Sequence, residues 1–288
     1  MGNHRIETIA PGLHFVATPI GSARDITLRA MDVLASADVL AAEDTRTLRH
    51  LMEIHGIPLG DRHLVAYHDH NGPQARPKIM KALEDGKSVA YASEAGTPLV
   101  ADPGFQLSKE AIAAGYPVYA APGASAVLTA LTIAGLPTDK FLFAGFLPNT
   151  SSQRKTALAE LGQIPATLVF YESPKRVAAM VRDAADVLGA GRSAAICREL
   201  TKKFEETLRG SLGDLSGILA ERTLKGEVVV LIDRGNPAAV NEISIEQQLK
   251  EALTTMSLRD ASEAVANANG LPRRKVYQMA LAMGKDDG

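Results

Sequence analysis

Across the first 120 residues, short apolar runs alternate with stretches whose apolar positions recur at helical spacing. The runs at 13–18 (LHFVAT), 39–43 (VLAAE), 64–68 (LVAYH) and 88–93 (SVAYAS) predict strands. The stretches at 25–37, 45–56 and 77–86 predict amphipathic helices. This alternation implies βαβ units and a largely parallel sheet, because a parallel neighbour can be reached only through a crossover. Asp25 suits an N-cap for its helix, and Gly56 and Gly86 sit where a helix ends in a left-handed residue. The runs FLFAGF, TLVFYE, SAAIC and EVVVLI repeat the theme less regularly and predict a second α/β lobe. Beyond Gly235 three helical patterns follow without a strand, so the chain divides into 1–121, 122–235 and 236–288. Gly270, Leu271 and Pro272 precede Arg273, Arg274 and Lys275, a spacing compatible with a helix-turn-helix or with a three-helix cap that has a basic end.

Residues 111–138 carry no charge and are long enough to cross a bilayer. Pro117, Pro122 and Pro137, with Gly115, Gly123 and Gly135, cut that stretch into helix end, strand, turn and helix, so no membrane span is expected.

Of the 288 residues 46% are hydrophobic, enough for more than one core. With 31 Lys plus Arg against 33 Asp plus Glu the formal net charge is -2, so any nucleic-acid contact must be a local patch rather than a polycationic coat. The single cysteine, Cys197, excludes an intrachain disulfide and a thiolate-rich metal site. Together with the lack of an apolar signal segment in MGNHRIETIAPG, this leads to the expectation of a cytoplasmic protein.

Several motif fragments fail on context. Gly86, Lys87 and Ser88 look like the end of a phosphate loop, but that stretch runs helix to strand, and the earlier glycine is Lys81. Gly189, Gly191 and Ala194 match a dinucleotide fingerprint in the same reversed context. His68 and His70 could supply two imidazoles to a metal, yet all seven histidines lie in the first quarter of the chain, and no metal is expected. Ser125 lacks the second glycine of a nucleophile elbow.

Glycine and proline instead collect at strand ends, in TPIGS, SEAGTPLVADPG, APGASA and YESPKR. Loops at the carboxyl ends of parallel strands are where open α/β sheets bind ligands, and glycine lets main-chain groups approach closely. A backbone-lined cleft is implied.

The segments TPIGSARDITLRA, AAEDTR, YHDHN, SEAGTPLVADPG, PGASA, GLPTDKFLFAGFLP, FYESPKR, RELTKKFEE and KGEVVVLI, in that order, resemble the bacterial small-subunit ribosomal RNA ribose 2′-O-methyltransferases. These form a branch of the tetrapyrrole-methylase superfamily, the class III S-adenosylmethionine methyltransferases. The resemblance runs from about Gly12 to Ile232, and the helical tail fits members with a small C-terminal domain. It implies two α/β lobes with S-adenosylmethionine in the cleft between them, a homodimer, and a cytidine of 16S rRNA, within the small ribosomal subunit, as substrate. A methyltransferase of the same fold acting on a tetrapyrrole or another small molecule is the alternative.

Carried over position by position, the resemblance assigns the cofactor to Thr18, Pro19, Ile20 and Gly21, and to Ala95, Gly96, Thr97 and Pro98. The second lobe adds Ser125, Ala126, Tyr171, Lys225 and Gly226. Departures from the family pattern include Thr97, where small-molecule members tend to have an aspartate, Ser22-Ala23 in place of Asn-Leu, and Glu94 in place of an aspartate.

Removing the proton of a ribose hydroxyl calls for an ionisable group near a strand end, which makes Glu43, Asp44 and His68 the catalytic candidates. Asp44 equally suits a helix cap, and Glu43 could pair with Arg46 or Arg49. For RNA, the candidates are Arg24, Arg46, Arg49, His70, Asn71, Lys175, Arg176, Lys202, Lys203, Arg273, Arg274 and Lys275. Aromatics are only 5% and Trp is absent, so recognition by shape and charge is expected over extended base stacking.

Overall fold

A computed structural model describes residues 4–68, 70–235, 237–268 and 272–283. The first lobe is built from β1 (Gly12–Val16), α1 (Leu28–Ser36), β2 (Val39–Ala42), α2 (Thr45–Ile54), β3 (His63–Ala66), α3 (Gly72–Glu84), β4 (Ser88–Ala92), α4 (Phe105–Ala113) and β5 (Val118–Ala121). Its five strands are all parallel, in the order β3-β2-β4-β1-β5. Every residue of β1, β2 and β4 is buried, which is why these strands read as continuous apolar runs rather than alternating ones. Leu34, Leu40 and Met52 fill the core on one face, and Ile79, Tyr91 and Leu107 fill the other.

The helix expected from Asp25 begins later. Asp25 ends a short 3-10 turn, and Thr27 caps α1 by accepting from the Ala30 amide at 3.1 Å. Gly56 and Gly86 take left-handed φ values of 65° and 72° after α2 and α3.

The second sheet takes strands β6 (Phe141–Phe146), β7 (Thr167–Glu172), β8 (Ser193–Arg198), β9 (Glu206–Ser211) and β10 (Val228–Ile232). Their order is β6-β7-β10-β8-β9. Only β6 and β7 are parallel; β10 runs antiparallel to both β7 and β8, and β9 antiparallel to β8. The sequence pattern did not show β9. It lies at the sheet edge, its six residues ETLRGS include a single large apolar side chain, and none is fully buried.

Helix α5 (Ala126–Ala134) follows β5 and lays Val127, Ala130 and Leu131 against Val169, Ala195 and Val229 of the second sheet. Ile20 and Leu200 join the same cluster, so one apolar core spans the seam between the two lobes. Helices α6 (Ser151–Leu161), α7 (Val177–Leu188) and α8 (Leu212–Glu221) cover the opposite face. There Arg154 and Asp183, each 5% exposed at the side chain, form a buried ion pair with contacts of 2.6 and 2.8 Å. The Ser151 hydroxyl adds a hydrogen bond to the same carboxylate. Three helices, α9 (Pro237–Leu253), α10 (Leu258–Ala268) and α11 (Arg273–Met283), close on Ile245, Leu249, Val265 and Val276. Gly270 and Leu271, two of the three residues of the expected turn, lie outside the described residues. Among the described residues no helix is long and apolar enough to cross a membrane.

Two substitutions test these packing arguments. Asp183→Ala strands a buried guanidinium and is expected to cost about 3–5 kcal/mol, read from the urea midpoint. A Cβ at Gly21 would stand 2.8 Å from the Leu200 carbonyl and 2.6 Å from both Lys202 Cγ and Thr201 Oγ1. Gly21→Ala therefore has to push the two lobes apart at the seam, with an expected loss of about 1–3 kcal/mol by the same measurement.

Candidate active site

The carboxyl ends of β1, β2, β4 and β5 lie along one edge of the first sheet, because all five strands run the same way. From that edge the turn after β1 reaches the turn after β4. The Thr18 amide donates to the Gly96 carbonyl at 2.9 Å, and the Gly96 amide returns a bond to Thr18 at 3.0 Å. The Thr97 hydroxyl donates to the Ala124 carbonyl at 2.9 Å, which ties in the loop after β5. Gly96 has φ 86°, and a Cβ there would sit 3.3 Å from Ile20.

The second sheet meets this edge through its register. Val228 pairs with Glu172 and with Arg198, Val229 pairs with Tyr171, and Phe146 pairs with Tyr171. The antiparallel course of β10 thus brings its start beside the ends of β6, β7 and β8. Between the two edges lies a cleft of about 460 Å³, within the range of small-molecule sites. Its first-lobe lining is Ile20, Glu43, Glu94, Ala95 and Asp102; Ala126, Phe146, Tyr171, Leu200, Gly226 and Val229 complete much of the other wall.

The carry-over is thus divided by the geometry. Ile20, Ala95, Ala126, Tyr171 and Gly226 line the cleft. Thr18, Gly96 and Thr97 form the stitched main chain behind it, Pro98 is buried beside them, and Pro19 and Gly21 continue the first turn. Ser125 is the N-cap residue of α5, with its side chain not used as a cap. Lys225 is exposed and outside the cleft lining. Gly226, at φ 83°, faces Glu199 so closely that a Cβ would overlap the carboxyl group.

Tyr171 stacks edge-on with Phe143 and Phe146, with ring centroids 4.8 and 5.8 Å away. Burial, with the negative charges of Asp102 and Glu227 nearby, pushes its phenol up to about 12, so near neutral pH the hydroxyl keeps its proton and is available as a donor.

Of the three catalytic candidates, Glu43 lines the cleft, and Asp44 does not. Asp44 caps α2, accepting from the Arg46 and Thr47 amides at 2.7 and 3.3 Å, and pairs with the Arg46 guanidinium at 2.9 Å. These hydrogen bonds, that from the Arg46 side chain foremost, lower its carboxyl to about 2, which makes it a weak base. His68 lines a neighbouring cavity instead. Its amide donates to the Asn71 side chain at 2.8 Å, and Asn71 in turn donates to the Ala66 carbonyl, so Asn71 builds the turn into α3. His70 is exposed, its ring 6.0 Å from that of His68.

Besides Asn71, several of the RNA candidates are engaged within the fold. Arg176 pairs with Glu172 at 3.3 Å and donates to the carbonyls of Leu147 and Pro148 and to the Asn149 side chain. Lys202 bridges Glu199 and Glu227 at 3.1 and 2.9 Å. Arg24, Arg49, Lys175 and Lys203 are exposed, as is Arg46 beyond its pairing with Asp44. On α11, Arg273 pairs with Glu263 at 2.9 Å, and Arg274 and Lys275 are exposed.

The residues that sequence reasoning missed are Asp102, Phe146, Leu200, Glu227 and the start of β10. Asp102 and Phe146 stood inside segments already singled out, SEAGTPLVADPG and FLFAGF. Leu200 and Glu227 also stood inside such segments, RELTKKFEE and KGEVVVLI, but their place at the cleft depends on the antiparallel register of the second sheet.

Residues 12–216 match the family described as tetrapyrrole (corrin/porphyrin) methylases, and residues 239–284 match the RsmI C-terminal HTH domain. A protein of Mesorhizobium japonicum named ribosomal RNA small subunit methyltransferase I is 45% identical over 285 residues, covering 97% of this chain and 96% of its own. One of the same name from Vibrio cholerae is 40% identical, with 97% of each chain covered. Among solved structures, the uroporphyrin-III C-methyltransferase of Thermus thermophilus complexed with S-adenosyl homocysteine superposes with a TM-score of 0.54 at 17% identity, over 80% of this chain and 99% of that one. On this full-length likeness, the chain belongs to the tetrapyrrole (corrin/porphyrin) methylase family.

Proposed function

We propose that this chain transfers a methyl group from S-adenosylmethionine to the ribose 2′-hydroxyl of a cytidine in 16S rRNA, acting as a homodimer on the small ribosomal subunit. The observation that carries the reading is the convergence of the stitched first-lobe turns and the second-sheet edge on one cleft with Glu43 in its wall. Relatives 40% to 45% identical over nearly the whole chain bear the name of a small-subunit rRNA methyltransferase.

The cleft suits the donor. Ile20, Ala126, Phe146 and Val229 give apolar walls for a flat heterocycle, while Glu43, Glu94, Asp102 and Glu227 give carboxylates that complement an ammonium and a sulfonium. Gly226 sits where a side chain would overlap the Glu199 carboxyl, which keeps main chain at the surface of the cradle, and Gly96 behind it lets the turn pack closely on Ile20. When bound, S-adenosylmethionine supplies a methyl carbon made electrophilic by its positive sulfur. The residues of this chain align the acceptor with it, a term that supplies much of the acceleration in a two-reactant transfer. With the donor in place, Glu43 would take the proton of the ribose hydroxyl while the acceptor oxygen gains the methyl carbon and the sulfur leaves as a neutral thioether. Tyr171, with its proton retained, donates a hydrogen bond from the opposite wall.

Incubation with tritiated S-adenosylmethionine and undermethylated small subunits is expected to place label in one alkali-resistant dinucleotide, the signature of a 2′-O-methylated ribose. Glu43→Gln is expected to lower kcat by about 10²- to 10⁴-fold with the calorimetric Kd for the donor held within a few fold. Label in a base, label in a porphyrinoid but not RNA, or no transfer at all would each refute the proposal.

A further inference from the structure

A second cavity of about 280 Å³ adjoins the cleft, and Asp102 is in the lining of both. It is formed where the end of β3 and the start of α3 meet the start of α4, with His68, Gly72, Arg76, Phe105 and Gln106 among its walls. Its position relative to Glu43 follows from the sheet: β3 is the neighbour of β2, and the Tyr67 amide donates to the Ala42 carbonyl, one residue before Glu43, at 2.8 Å. A sugar held at Glu43 would therefore have this cavity one strand further out.

The cavity is braced from within. The Arg76 side chain is 18% exposed; its Nη1 donates to Glu110 at 2.6 Å and its Nε to the Tyr67 hydroxyl at 3.3 Å. Gly72 lies beside the guanidinium, where a Cβ would make ordinary contact with Arg76 Nη2 at 3.5 Å and with the Tyr67 hydroxyl oxygen at 3.6 Å. At the rim, Phe105 is 64% exposed at the first position of α4. One wall thus offers a planar donor, another a carboxylate acceptor, and the mouth an aromatic face.

We infer, resting on the ribose-methylation reading above, that this cavity receives the base of the methylated nucleotide and selects a pyrimidine with an exocyclic amine. Asp102 accepts from the amine, Arg76 donates to the ring carbonyl, and Phe105 stacks on the base. Uracil presents a carbonyl where cytosine presents the amine, which sets two acceptors against each other. Placing a base between a hydrogen-bonding wall and an aromatic face is the usual way a single unstacked nucleotide is read.

The test uses the full chain and reconstituted small subunits carrying cytidine or uridine at the mapped methylation site. Wild type is expected to favour cytidine in kcat/KM by about 10- to 100-fold. Asp102→Asn, whose amide can serve either base, is expected to bring that ratio to within a few fold. Phe105→Ala, an exposed position whose loss does not threaten folding, and Arg76→Gln are expected to raise the KM for the subunit about tenfold or more while leaving the donor Kd unchanged. An unaltered cytidine-to-uridine ratio in Asp102→Asn overturns the inference, as does an unchanged KM in Phe105→Ala and Arg76→Gln, even with ribose methylation intact. Absence of ribose label from wild type overturns the parent reading as well, so the two failures are told apart.

Discussion

The cleft exists because main chain from two sheets approaches within hydrogen-bonding and van der Waals contact at one seam. Thr18 and Gly96 exchange backbone bonds, and the next residues of the same turn pack on the second lobe. The Ser22 amide donates to the Thr201 hydroxyl at 3.0 Å, and Gly21 lies against Leu200 and Lys202. Buried amides must find partners, so a turn satisfied by another loop on one side and by the opposite lobe on the other has little freedom to move. The apolar cluster holding Ile20, Val127, Leu200 and Val229 fixes the distance between the sheets, and the turns then define what fits between them.

That cleft is acidic, whereas the proposed substrate is a polyanion. Glu43, Glu94, Asp102, Glu172 and Glu227 all line it, and Lys202 and Arg176 are occupied with carboxylates of the same rim. A phosphate brought among these groups would be repelled. The arrangement is consistent with admitting only the neutral part of a nucleotide, its sugar and base, while the phosphates remain outside. The exposed cations Arg24, Lys175 and Lys203 stand on turns and Arg49 on α2, and with a net charge of -2 the attraction for RNA has to come from such local groups. Attraction for a cationic donor and for an anionic acceptor is thereby separated in space.

Much of the first lobe was legible because parallel strands buried on both faces leave unmistakable apolar runs, and the glycines at 56 and 86 mark helix ends that the structure reproduces. The start of α1 was misread since Asp25 and Thr27 are both good caps, and only packing against β5 and its loop chooses between them; the Thr27 hydroxyl also reaches the Pro122 carbonyl at 3.4 Å. In the second lobe, strands from FLFAGF, TLVFYE, SAAIC and EVVVLI were readable, but their directions were not. Direction decides which ends meet the seam, so Leu200, Glu227 and Val228, although inside segments singled out from the sequence, were not assigned to the cleft. The cap role of Asp44 was legible, and the α2 amides and Arg46 do take up its carboxylate, but no local pattern told that Glu43, one residue away, would be the one to face the cleft.

Backbone strain is concentrated at this seam as well. Leu99 and Ala101 in the loop after β4, and Glu199 and Thr201 in the loop after β8, hold φ values of 71°, 62°, 50° and 62°. Each such residue costs roughly 1–2 kcal/mol in an L-amino acid, and chains keep them only where surrounding structure overrides local preference. Here the override is visible: Leu200 is buried in the core that joins the lobes, Thr201 accepts from Ser22, and Glu199 accepts from the Glu227 amide and from Lys202. Asp102, one residue beyond the strained Ala101, is thereby carried to the wall shared by the two cavities. Relaxing either loop would recover local energy, but it would move Asp102 or Leu200 out of the surface they form together. Stability is supplied by the two well-packed sheets, which leaves the loops free to hold unfavourable conformations that shape the site.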